Sequence, residues 1–138
     1  MSIERLDELT SRIYSKELRD KENYNRLFSL YKKLGFDKKI ENFDDVFEFK
    51  AINLSGVSLA KDTLGAHNIG KYLQIIAIIY DKNAKVKSKN ISLAYYGRVE
   101  LVDEKLINDV INFVLSWRYE KSVRNLEAHA QLLKKFNA

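Results

Sequence analysis

A chain of 138 residues and 16.1 kDa with 46% hydrophobic content is the size of one ordinary domain with a core of its own. It has no proline and five glycines, which excludes collagen-like and Pro/Gly-rich disordered classes, and no cysteine, which excludes disulfide frameworks, Cys-ligated zinc, iron–sulfur clusters and thiol nucleophiles. Lys and Arg outnumber Asp and Glu by 24 to 19, and the excess is local: residues 81–100 hold five basic and two acidic side chains.

Residues 1–54 read as N-terminal helices. Ile3, Leu6, Leu9 and Ile13 recur at three- and four-residue spacing, and Tyr24, Leu27, Phe28, Tyr31 and Leu34 repeat the pattern, so two antiparallel helices are expected. Lys32 and Lys33 suit the carbonyl end of the second helix, and Gly35 ends it. Over residues 42–54 two periodicities compete. Asn42 can cap a short helix carrying Phe43, Val46 and Phe47, while Phe47, Phe49 and Ala51 alternate as in a strand; the short helix is the reading adopted. Ser55 and Gly56 mark a break, and Ser58 to Leu64 suggests another helical turn.

Residues 55–101 read as a buried core segment plus a basic hairpin. From Tyr72 to Tyr80 only Gln74 is polar, so this segment, as helix or strand, is expected to be buried on most sides. Asp81 to Ala84 suggests a turn. Lys85, Lys87 and Lys89 then alternate with smaller residues, and Ile91, Leu93, Tyr95, Val99 and Leu101 follow with period two and Gly97 as a bulge, predicting a β-hairpin over residues 84–101.

Residues 102–138 read as C-terminal helices. Asp103 offers an N-cap, Leu106, Ile107, Val110, Ile111, Val114 and Trp117 form one apolar stripe, and Val123, Leu126, Ala130, Leu133 and Phe136 form another on a rotated face. These are two helices bent near Tyr119–Ser122, or one helix of about 50 Å that reaches a partner. The expected fold is one domain, mainly α: a helical bundle-like domain with a small β-hairpin and a long C-terminal helical arm.

Glu4, Asp7 and Glu8 stand where an export signal has a basic start and an apolar run, and the longest apolar run, Ile75 to Tyr80, is six residues, against roughly 20 to span a bilayer. The expectation is a cytoplasmic protein without membrane contact. His67 and His129 are the only histidines, and neither has a second ligand at metal spacing, so no metal and no cofactor are expected. Phosphate-cradling glycine loops and a serine elbow are absent, and Asp44-Asp45 and Asp103-Glu104 are better read as helix-start acids than as catalytic dyads.

Ser58 to Leu73, with Gly65 at the turn, resembles a helix-turn-helix; the resemblance implies a second helix in the major groove and the following hairpin as a wing. Arg124, Asn125 and His129 match R-N-x-x-x-H and resemble the motif of HEPN ribonucleases. That resemblance implies a helical dimer in which Arg124 and His129 act, without metal, on the scissile phosphate and the ribose 2′-hydroxyl.

The reading favoured over both is non-catalytic nucleic-acid binding, to DNA or RNA, as a small subunit of a larger nucleoprotein complex. In profile the chain is similar to small helical subunits of CRISPR effector complexes and to phage or plasmid accessory proteins. Lys82, Lys85, Lys87, Lys89 and Arg98 are the expected phosphate contacts and Tyr95 or Tyr96 the stacking platform, since cations release phosphate counterions while rings stack on bases. Arg118, Lys121 and Arg124, three residues apart on one helix face, form a second basic strip. Self-association or a protein partner is expected at the C-terminal helices, and an adaptor without nucleic-acid binding is the remaining alternative.

Overall fold

The computed structural model describes residues 19–83 and 88–138. Helix α1 runs through residues 19–33, strand β1 spans Ala51–Ser55, β2 Tyr72–Tyr80 and β3 Ser88–Arg98, and helix α2 spans Glu104–Phe136. Short 3-10 turns lie at Phe36–Lys38, Phe43–Glu48, Lys61–Thr63 and Val99–Leu101. The Ile3–Ile13 stripe, Lys85 and Lys87 lie outside the described residues.

The strands form one antiparallel sheet in the order β1-β2-β3. The mainly α, bundle-like expectation is therefore corrected: the fold is mixed α/β, with two long helices and a three-stranded sheet. The apolar central segment is strand β2. Its Ile75, Ile76, Ile78 and Ile79 are β-branched and suit a pleated surface. Burial alternates along its first half: Leu73, Ile75 and Ala77 are fully buried, while Gln74, Ile76 and Ile78 between them are half-buried and Tyr72 and Tyr80 are exposed. The segment is thus covered on one face only.

The hairpin is also placed differently from the expectation. β3 does not fold back within residues 84–101 but pairs with β2, from Tyr72 opposite Arg98 to Tyr80 opposite Ser88. Its register shifts between Leu73 and Gln74 and again between Ile75 and Ile76, the first shift falling at Tyr96–Gly97. Residues 42–54 use both competing periodicities in turn: Asn42 accepts the Asp44 N–H at the head of a 3-10 turn, and the chain extends into β1 from Ala51. The helix-turn-helix likeness is not realised, because Lys61–Thr63 makes a single 3-10 turn and the would-be recognition helix is β2.

Helix α2 is one continuous helix of 33 residues, the second of the two alternatives, and it contains neither glycine nor proline. α1 lies antiparallel to it. Tyr119 donates to Asp20, Asn23 donates to the Ser116 carbonyl, and Lys33 pairs with Asp109 at the other end. Ile107, Val110, Phe113, Val114 and Trp117 bury the first half of α2 against Leu27, Phe36, Val46 and the sheet residues Ile52, Leu73 and Ile75. From Arg124 onward every residue is exposed.

Both edge strands give a carbonyl to a cation, which blunts edges otherwise open to pairing. Arg118 donates twice to the Ile52 carbonyl of β1, at 3.1 and 3.2 Å, and Lys39 donates to the Leu93 carbonyl of β3 at 2.7 Å. No described helix is long and apolar enough to cross a membrane.

Candidate nucleic-acid interface

Cross-strand partners in an antiparallel sheet share a face, and the face opposite the core follows from the register. Ala51, Asn53 and Ser55 of β1, Tyr72, Gln74, Ile76, Ile78 and Tyr80 of β2, and Ser88, Asn90, Ser92, Tyr95 and Arg98 of β3 form it. None of the three strands contains an Asp or Glu. Three tyrosines stand out of this face, Tyr72 at 51%, Tyr95 at 58% and Tyr80 at 69% exposure. Tyr72 and Tyr95 are neighbours, with ring centroids 5.7 Å apart and tilted by 37°. Beside them Gln74 donates its side-chain amide to Ser92 Oγ at 2.8 Å.

Cations border the face at both ends. Lys71 precedes Tyr72 and Arg98 lies opposite it; at the far end Lys50 Nζ sits 5.7 Å from the Tyr80 ring centroid and Lys82 follows the strand. An open recess of about 360 Å³ adjoins Tyr72, bordered by Ser55, Gly56, Asn68, Lys71 and Gln74.

The residues expected to bind fall into separate groups. Lys82 and Lys89 are exposed, Lys89 on β3 opposite Ile79. Lys85 and Lys87, in the connection between β2 and β3, lie outside the described residues. Of the two candidate stacking rings, Tyr95 is on the open face. Tyr96, at the register shift, packs against the core instead; burial raises the pKa of its hydroxyl, which has no hydrogen-bond partner among the described residues.

Arg98 forms an ion pair with Glu100 at 3.0 Å. The Glu100 carboxyl is held below its ordinary pKa by its own backbone amide first, then by the Gly70 N–H and the Arg98 guanidinium. A lowered folded-state pKa contributes stability above the unfolded value and loses it as pH falls through the folded one. Urea titrations across the acid range should therefore show a shallower loss of stability in Glu100→Gln than in the unaltered chain.

Arg118, Lys121 and Arg124 share one face of α2, and that face meets the body of the protein. Arg118 holds Ile52 and also reaches Asn53 Oδ1, and Lys121 donates to the Phe47 carbonyl at 2.5 Å. The Arg124 guanidinium lies 3.8 Å from the Phe47 ring centroid and 3.9 Å from Glu120. These three cations clasp β1 and the Phe43–Glu48 turn. His129 is exposed on the arm beyond them, and no group of three metal-binding side chains occurs among the described residues.

Periodicity alone missed Tyr72, Gln74, Asn53 and Ser55, because their common face exists only once β1, β2 and β3 are paired. No protein family, curated protein or solved structure matches the chain.

Proposed function

We propose that the protein binds nucleic acid without chemistry of its own, as a small subunit of a larger nucleoprotein assembly. One observation carries the reading: an open sheet face whose strands hold no carboxylate, set with exposed tyrosines and bordered by Lys50, Lys71 and Lys82, while Lys89, opposite Ile79, is exposed on the other side of β3. A polyanion meets no carboxylate on the strands themselves, Glu100 beside them being paired with Arg98, and each lysine engaged with a phosphate releases a counterion. The test is a titration of labelled single- and double-stranded DNA and RNA across a salt series. The unaltered chain should bind with a negative salt slope, and Lys50→Glu with Lys82→Glu should weaken binding at least about tenfold and flatten the slope by about 1.5. No retention of any nucleic acid, or an unchanged affinity in the double variant, overturns the reading in favour of the adaptor. Cleavage in the same gels that disappears in His129→Ala would instead favour the ribonuclease.

The arm is the site proposed for self-association, with a second copy of this chain as its occupant. Val123, Leu126, Ala130 and Leu133 alternate at three- and four-residue steps, as coiled-coil seams do. Glu127 and Lys134 lie one heptad apart, so two arms aligned antiparallel bring each Glu127 against the other copy's Lys134. Sedimentation should show a dimer that Leu126→Glu with Leu133→Glu reduces to monomer; a monomeric unaltered chain removes this assignment.

A further inference from the structure

Resting on the nucleic-acid reading above, we infer that the ligand is a single strand whose bases stack on Tyr72 and Tyr95, with an adjoining base seated in the recess beside Tyr72. A duplex hides the faces of its bases, so a surface whose most prominent groups are exposed aromatic rings gains little from it. Single-strand binders combine such rings with cations along the path of the backbone. Both components are present here. The two rings form a contiguous aromatic patch at one end of the sheet, Lys71 adjoins it as the next residue in the chain, and Arg98, paired with Glu100, lies opposite Tyr72.

The length of the face also fits. From Tyr72 to Tyr80 β2 runs about 27 Å at about 3.4 Å per residue, room for several nucleotides with Tyr80 as a third ring. Between the rings the half-buried Ile76 and Ile78 are flanked by amide and hydroxyl side chains, Asn53, Gln74, Asn90 and Ser92, which can bond the base edges that an unpaired strand leaves open. The recess is bordered by Ser55, Asn68 and Gln74, with Lys71 placed for the phosphate of the nucleotide seated there. A major-groove reader presents a helix or a protruding ribbon of side chains to a duplex. The described residues instead offer an open sheet face with aromatic rings at both ends, Tyr72 and Tyr95 at one and Tyr80 at the other.

The experiment compares the full chain with Tyr72→Ala, Tyr95→Ala and the corresponding Phe variants, using fluorescein-labelled 15-nucleotide poly-dT and poly-U and a 15-base-pair duplex. Both side chains are exposed, and circular dichroism confirms that each variant is folded. Each Ala substitution should weaken single-strand binding about tenfold while leaving the salt slope and the duplex affinity unchanged, and each Phe variant should bind as the unaltered chain does. Ala variants that hold the single strand as tightly as the unaltered chain, or a duplex preferred over both single strands, overturn the inference while leaving general nucleic-acid binding in place. An unaltered chain that retains neither probe at low salt overturns the broader reading as well.

Discussion

Gly56→Ala should destabilise the fold by about 2–5 kcal/mol, enough to remove a large part of a typical domain's stability. Gly56 has φ of 95°, a region where a Cβ adds about 1–2 kcal/mol of strain. The larger effect is steric. A Cβ there would lie 2.8 Å from the Tyr72 carbonyl oxygen and 2.9 Å from the Leu73 Cα, both backbone atoms of β2 that cannot turn aside. Relief requires shifting the β1–β2 ladder next to the recess and to Tyr72, so the substitution should also disturb the proposed stacking site. Gly70→Ala is the control: φ is 84°, but nothing lies within 4 Å of its Cβ position, so only the strain of about 1–2 kcal/mol applies. Urea unfolding followed by circular dichroism reads both; equal losses would show that the close approach of Gly56 to β2 is not what matters.

Trp117→Ala should lower stability by about 3–5 kcal/mol and the Tm by about 10–20 °C. The indole is 2% exposed at the centre of the α2 stripe, and its Nε1 donates to the Val46 carbonyl at 2.8 Å, tying α2 to the Phe43–Glu48 turn. Truncation leaves both a cavity and a buried carbonyl without its donor. Trp117→Phe keeps most of the volume and removes the donor, so its loss should be about 1–3 kcal/mol. If the two variants lose the same amount, packing contributes little and the hydrogen bond carries the effect.

The sequence patterns that survived are those decided within one element. The stripe from Ile107 to Trp117 is the buried face of α2, and the left-handed Gly35 follows the last turn of α1. The failures have a common cause, since each depends on a neighbour. An all-apolar run such as Tyr72 to Tyr80 has no internal period, and only pairing with Ala51–Ser55 and Ser88–Arg98 makes it a strand with one covered face. Spacing correctly places Arg118, Lys121 and Arg124 together, yet it carries no information on whether that face meets solvent or β1. The same holds for the candidate interface. Tyr95 and the lysines are visible as an aromatic and basic cluster, whereas Tyr72 joins them through a cross-strand register that includes two shifts.

That register turns a local charge excess into a surface. The cations expected as a basic hairpin and as a second strip on the C-terminal helix divide between two roles. Arg118, Lys121 and Arg124 close the fold by holding backbone carbonyls and a ring, and Lys50 and Lys82 stay exposed at the Tyr80 end of the open face. Loss of the first group should appear as instability and loss of the second as weakened binding.

In the proposed binding mode a nucleic-acid strand lies across the open face of the sheet. Titrating the ¹⁵N-labelled full chain with a seven-nucleotide single strand and following its amide resonances tests this most directly. The largest changes are expected at Tyr72, Gln74, Ile76, Ser92 and Tyr95, with little change at Ile107, Val114 or Trp117. Changes concentrated on Arg118–Arg124 and His129 with a silent sheet, or none at saturating oligonucleotide, would contradict it.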